Sequence, residues 1–352
     1  MTPLARLIAS RIRLSGPMRL DEYMDICLLH PEHGYYATRD PFGAAGDFTT
    51  APEISQMFGE MIGLALAQAW MDQGAPSPFT LAEIGPGRGT LMADILRTIR
   101  IVPGMSEAAR VVLIEASAHL RRVQQDRLGP VTHLDHVAQL PKGPLFLVAN
   151  EFFDALPIRQ FQRMDQGWAE RIVALDPDGM LTLGLAAPEP GPDAPVGTIR
   201  EACPAAGPIA SEIARRISEE GGCAILIDYG NWDGNGDSFQ ALRLHKPENP
   251  LENPGEADLT AHVDFLPIAL AGRAAGSRVS RMVTQGEWLS RLGIAARAER
   301  LAAAGDSGAK AALHRLTAPG EMGQLFKVLA FWAPNAADPP GFEPLEPDAN
   351  DA

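Results

Sequence analysis

The chemistry in this chain is most visible between Leu81 and Thr90, where the sequence reads LAEIGPGRGT. Gly85, Gly87 and Gly89 let a backbone turn tightly and lie close to a ligand, where a Cβ would collide. The helix-like stretch that follows offers free N–H groups at its start. Glu83 stands just before the glycines, where a carboxylate attracts a cationic group directly or through water. Glu115 ends the next apolar run, 26 residues after Gly89. An acid there can accept hydrogen bonds from both hydroxyls of a ribose.

Spacing decides between two nucleotide ligands. A dinucleotide fingerprint wants G-x-G-x-x-G, and Thr90 occupies the place of its third glycine. That argues against a nicotinamide dehydrogenase. The pattern is instead E-x-G-x-G-x-G, the form seen in S-adenosylmethionine-dependent methyltransferases. Such a ligand has no pyrophosphate, so the turn need only admit its amino-acid and ribose parts. Further on, HLDH at 133–136 follows a third candidate strand. Asp135 either accepts from an adenine amino group or belongs to an ordinary polar loop. The two histidines have no evident third ligand, so no metal is expected.

These residues need a scaffold, and the apolar runs supply one. Residues 79–84, 111–115, 145–149 and 224–228 are near-continuously apolar, as strands buried on both faces of a parallel sheet are. Residues 131–134 are a weaker candidate, and 325–332 read as a late strand, antiparallel at the edge. Helices are expected over 54–72, 90–101 and 117–128, the last opened by a capping serine. The alternation predicts a doubly wound α/β fold. Residues 158–185 break the rhythm with period-two alternation and Asp178-Gly179, the mark of inserted antiparallel hairpins. A proline-rich link over 187–208 leads to a helix over 209–220. The segment 230–258 is long for an ordinary loop and is a candidate lid. The tail from Pro334, rich in proline and acids, reads as disordered. The expected division is therefore an N-terminal cap (1–75), a core in two halves (76–157 and 208–333), an inserted subdomain (158–207) and the tail.

Composition narrows the classes. The chain has 352 residues, 46% hydrophobic and 21% charged, which excludes disorder throughout. No apolar run reaches the length of a membrane span. A net charge of −14 speaks against a nucleic-acid binder and suits a basic partner. Three scattered cysteines, with no C-x-x-C, fit a reducing compartment. Arg6, Arg11, Arg13 and Arg19 mark an amphipathic start that reads either as an import signal or as a plain helix. The apolar residues of 54–72 fit core packing, with a homodimer interface as the alternative.

Four further segments carry a family resemblance: GDFTTAPEISQMFGE at 46–60, ANEFFDALPI at 149–158, IDYG at 227–230 and GEADLTAHVD at 255–264. Together with the glycine turn they closely resemble the MidA family of class I methyltransferases, over about Leu14 to Ala333. That family includes the mitochondrial complex I assembly factor that methylates arginine. The chain looks like a bacterial member, expected in the cytoplasm, with the mitochondrial matrix as the alternative. Leu14 sits close to the family's start, which leaves little room for a transit peptide. Many relatives carry a Gly-Thr-Leu-like stretch after Asp-Tyr-Gly, where this chain has GDSF at 236–239.

The resemblance implies a seven-stranded sheet, S-adenosylmethionine as donor and an arginine of a protein, such as a complex I subunit, as acceptor. It places the cofactor at Gly85, Gly87, Gly89 and Glu115, and the active-site rim at Asp47, Asn150, Glu151 and Asp154. Arginine is a poor nucleophile because its charge is delocalised. Carboxylates that grip the guanidinium as a fork localise that charge. Glu151 is the expected main acceptor and Asp154 the second, both facing the crevice if 152–155 starts a helical turn. Asp47 would approach from the other side. Thr50 either caps the following helix or contacts the cofactor carboxylate. His262 and Asp264 form either a polar pair near the site or a helix-start cluster. Two other readings stay open: a methyltransferase for a small molecule or another side chain, and a cofactor-holding assembly factor with little turnover.

Overall fold

The computed structural model describes residues 1–38 and 50–346. They divide into two compact units that share the chain in alternating pieces. The larger unit takes residues 50–152, 207–230 and 265–346. Its elements include, in chain order, α1 (Gln56–Asp72), β1 (Phe79–Ile84), α2 (Thr90–Ile99), β2 (Ala109–Ile114), α3 (Ala118–Leu128), β3 (Thr132–Leu134), β4 (Leu145–Asn150), α4 (Ala206–Glu220), β5 (Gly222–Asn231), α5 (Phe265–Ala274), β6 (Arg278–Val279) and β7 (Phe326–Trp332). The sheet runs β6-β7-β5-β4-β1-β2-β3. Its inner strands are parallel, with Ile84 beside Ala149 and Asn150 beside Ile227. Every residue of β1 and β4 is buried, as the continuous apolar runs predict for a sheet covered on both faces.

β7 runs antiparallel to β5 along its own whole length, from Cys223–Trp332 to Tyr229–Phe326. It is not the edge, because β6 pairs with its outer side. The long helix expected over 54–72 is two helices. A short turn, Ala51–Ile54, stops at Ser55, whose hydroxyl accepts from Met57 N–H and starts α1. The apolar side chains of α1, among them Met57, Phe58, Met61, Ile62, Leu66 and Trp70, lie in the core. They account for the apolar pattern without a subunit interface. Each such side chain contributes roughly 1.5–3 kcal/mol when fully buried. α1 meets α2 through small residues: a Cβ on Gly59 would lie 2.5 Å from Asp94 Cβ, and one on Gly63 would lie 3.0 Å from Thr98 Cβ.

The tail reading needs correction. Residues 334–346 are ordered on this unit, where Phe342 stacks near Trp288 at 5.3 Å and Leu345 N–H reaches the Val279 carbonyl. Proline and acid content signalled disorder, but one inserted phenylalanine anchors the segment.

The smaller unit takes residues 1–38, 153–206 and 231–264. Antiparallel strands Arg159–Met164, Gly167–Leu175, Leu181–Leu185 and Ile199–Ala202 form its sheet, joined by Met18–Arg19. Gly179 makes the expected turn at φ +79°, and the Asp176 carboxylate accepts from the N–H groups of Asp178 and Met180. The N-terminal helix Pro3–Ser15 buries Leu4, Ile8 and Ile12 with Tyr23, Met24, Val173 and Leu259. The amphipathic start is therefore a packed helix of this unit. The segment 230–258 is likewise no bare loop. It supplies Gln240–Arg243 and Lys246–Glu248, which form a three-stranded sheet with Asp258–Thr260. The cap and the insertion thus share one unit, while residues 50–75 belong to the core.

Candidate active site

The glycine turn leaves the carboxyl end of β1, the edge where doubly wound sheets bind ligands. Gly85, Gly87 and Gly89 have φ of +65°, +51° and +74°, a region that side chains other than glycine rarely enter. A Cβ on Gly85 would stand 3.3 Å from the Phe152 ring, and one on Gly89 would stand 3.2 Å from Leu128. Gly89 opens α2 and brings no side-chain cap, so the helix N–H groups point out of the turn uncapped by it. The Thr90 hydroxyl donates to Glu53 Oε1 at 2.6 Å.

Glu83 is 3% exposed, and its Oε2 has no hydrogen-bond partner among the described residues. Burial pushes its carboxyl up to about 8, against a bond from Met92 N–H, while the nearby Glu115 charge raises it further. Glu115 at the end of β2 is also raised by burial, opposed by the Ser117 N–H at 2.7 Å and the Gln124 amide at 3.1 Å. Asp135 lies just beyond β3 as an exposed carboxylate paired with Arg121 at 2.5 Å. Arg121 also donates to the Glu115 and Leu134 carbonyls, and so ties the ends of β2 and β3 together.

Beside this turn, β4 delivers Asn150 and Glu151. Ile84 pairs Ala149, so Gly85 and Asn150 leave the sheet side by side. Asn150 Oδ1 is buried and has no partner among the described residues, while Asn150 Nδ2 donates to Glu151 Oε1 at 2.9 Å. Glu151 has φ +52°, a strained conformation for a side chain of this size. Its Oε1 also lies 3.4 Å from Ala51 N. Asp228, fully buried within β5, holds the next link: its carboxylate accepts from Phe152 N–H at 3.1 Å and Tyr229 N–H at 2.9 Å. Asp228 is thus the brace that fixes the backbone after Glu151.

Thr50 sits at the N-cap position of Ala51–Ile54 but makes no side-chain cap bond, so the plain capping role is not realised. Asp47 lies outside the described residues. Asp154 belongs to the smaller unit and is buried. Residues 153–156 form a turn closed by Leu156 N–H on the Phe153 carbonyl at 3.2 Å, not the helical start expected for 152–155. In the same unit the Tyr36 hydroxyl donates to Asp258 Oδ1 at 2.9 Å. Burial raises that phenol, helped by the charges of Asp258 and Asp154. The buried Asp258 was not singled out as a site residue by its sequence position; the signal was the acid inside GEADLTAHVD. His262 is exposed, and its N–H donates to Ser238 Oγ at 2.8 Å. It borders a cavity of about 410 Å³ lined by Glu201, Asn231, Asp233, Asp237 and Ser238.

A left-handed glycine turn, an orphaned buried carboxylate oxygen before it and a braced acid on the next strand suit a ligand with an ammonium and a ribose. The residues present therefore fit S-adenosylmethionine. The strand order, with its antiparallel seventh strand, is that of the class I methyltransferases.

Comparison with known proteins gives the same class. Residues 61–283 match the family described as "Putative S-adenosyl-L-methionine-dependent methyltransferase", and the chain belongs to that family. It is 35% identical over 362 residues to the protein arginine methyltransferase NDUFAF7, mitochondrial, of Danio rerio, covering 92% of this chain and 85% of that one. The Homo sapiens protein of the same name is 35% identical over 335 residues, covering 84% and 74%. A crystal structure from Burkholderia thailandensis, bound to S-adenosyl-homocysteine, superposes with a TM-score of 0.84 at 28% identity, covering 96% and 93%. The chain is an S-adenosylmethionine-dependent methyltransferase.

Proposed function

We propose that this methyltransferase acts on an arginine side chain of a protein. The observation that carries the reading is Glu151: a carboxylate held at positive φ beside the glycine turn, oriented by Asn150 and by the Asp228 brace. A strained acid fixed by its neighbours is preorganised, as a group that must grip a guanidinium should be. The curated relatives support it, since they carry the name protein arginine methyltransferase.

S-adenosylmethionine supplies an activated methyl group on a sulfonium. The protein's tasks are to bind, align and localise charge. We assign Gly85, Gly87 and Gly89 to the cofactor backbone approach, Glu83 and Asn150 to its amino-acid part, and Glu115 to its ribose. Asp135, kept ionised by Arg121, accepts from the adenine amino group, and Thr50 meets the cofactor carboxylate. Glu151 grips the acceptor guanidinium. Localising the positive charge away from one nitrogen raises that nitrogen's nucleophilicity. The nitrogen gains the methyl carbon, the carbon–sulfur bond breaks, and the displaced N–H proton is taken up by the carboxylate or by water. A protein partner of basic character fits the net charge of −14. Cys27, Cys203 and Cys223 are all free, which suits a reducing compartment such as the bacterial cytoplasm.

The test is methyl-arginine mapping by mass spectrometry in cells lacking the chain and complemented with wild type or Glu151→Gln. Wild type should restore at least one methyl-arginine in a protein, and Glu151→Gln should reduce transfer by about 100-fold or more. An unchanged methyl-arginine map would overturn the assignment of the acceptor.

A further inference from the structure

α3 is a surface helix, AHLRRVQQDRL, and only Leu120 and Gln124 on it are buried. Gln124 is 0% exposed, at a position in the 120–124–128 stripe where a leucine would ordinarily pack. A buried amide is tolerated when its hydrogen-bonding groups are satisfied. Here they all are. Nε2 donates to the Gly87 carbonyl at 2.7 Å and to Glu115 Oε2 at 3.1 Å. Oε1 faces His133 Nε2 at 2.9 Å. The Gly87 carbonyl and the Glu115 carboxylate only accept, so they fix which way the amide faces, and His133 then presents an N–H to Oε1. On the far side of the carboxylate, Ser117 N–H holds Glu115 Oε1 at 2.7 Å.

We infer that Gln124 is a positioning residue that locks the Glu115 carboxylate to the glycine turn and so sets it for a ribose diol. The inference rests on the reading of Gly87 and Glu115 as cofactor-binding groups. Glu115 Oε1 accepts from Ser117 N–H and Oε2 from Gln124, and a carboxylate with about four lone-pair sites keeps capacity for ribose hydroxyls. The bond to the Gly87 carbonyl makes the turn and the acid one rigid body, so a ligand that meets both finds them at a fixed separation. His133 acts one step further out, by holding the amide oxygen in place.

The experiment is calorimetric titration of the full chain with S-adenosylhomocysteine and with its 2′-deoxy analogue. Wild type, Gln124→Met, His133→Phe and Glu115→Gln are compared, with thermal unfolding of each followed in parallel. Wild type should prefer the ribose form, and Glu115→Gln should abolish that preference. Gln124→Met fills similar volume but cannot donate. It should weaken S-adenosylhomocysteine about tenfold and the 2′-deoxy analogue about twofold or less. His133→Phe should give the same pattern at smaller size, which keeps the test alive if Gln124→Met fails to fold. Equal losses on both ligands would reduce Gln124 to a packing residue and overturn the inference. A wild type that does not distinguish the two ligands would overturn the ribose assignment of Glu115, and the inference with it. Preference lost in Glu115→Gln but kept in Gln124→Met would overturn the inference alone.

Discussion

Two carboxylates in the site are held in states that cost stability. Glu83 is buried with an oxygen that has no hydrogen-bond partner among the described residues, and its carboxyl is pushed up to about 8. A group whose folded value lies above its unfolded value stabilises the fold below the ordinary 4.5 and loses that contribution as pH rises through about 8. Wild type should therefore lose stability across that window relative to Glu83→Gln, at most about 1.4 kcal/mol per pH unit. Denaturant titration across the window measures this, and parallel curves would refute it. A cationic ligand favours the ionised form, so binding near neutral pH should release a proton, seen as a buffer-dependent calorimetric enthalpy. Glu151 stores its cost in the backbone, at φ +52°. Glu151→Gly should be more stable than Glu151→Ala by about 1 kcal/mol, with both inactive. Alanine equal to glycine in thermal unfolding would mean the strain is absent.

Among the elements, the pairing of α1 with α2 depends on glycine at the contact. Gly59 admits Asp94 so closely that even a methyl group would have to displace that side chain. Gly59→Ala should cost about 1–3 kcal/mol by overpacking, visible as a lower unfolding midpoint, and should weaken cofactor binding because α2 carries the turn's N–H groups. The strands were legible because parallel strands buried on both faces leave an unbroken apolar run; the expected 79–84 coincides with β1. The break at Ser55 was obscured because apolar periodicity continues across it. Gln124 was invisible because a glutamine on a polar helix reads as solvent-facing, and only the tertiary contact at Gly87 shows otherwise. The glycine turn and Glu151 could be singled out, since their spacing follows strand ends. Asp228 could be seen but not its task, because a brace is defined by what it holds.

For the whole molecule, charge and connectivity matter most. A net −14 should speed encounter with a basic acceptor and make that encounter salt-sensitive. kcat/KM for a basic protein acceptor should fall by about tenfold between about 0.05 and about 0.5 M salt, while affinity for S-adenosylhomocysteine changes by about twofold or less. Salt-independent kcat/KM would count against a basic acceptor.

β7 zips along β5 over seven residue pairs, though about a hundred residues of chain separate them. A ribosome must therefore make the apolar flank of residues 223–229 long before it makes the strand that covers it. During that interval the nascent sheet carries an open edge rich in isoleucine and leucine, of the kind that seeds aggregation. Termination before Phe326 should leave that edge bare for good, and such a fragment should be held by chaperones or precipitate, even though it contains the glycine turn and Glu151 intact.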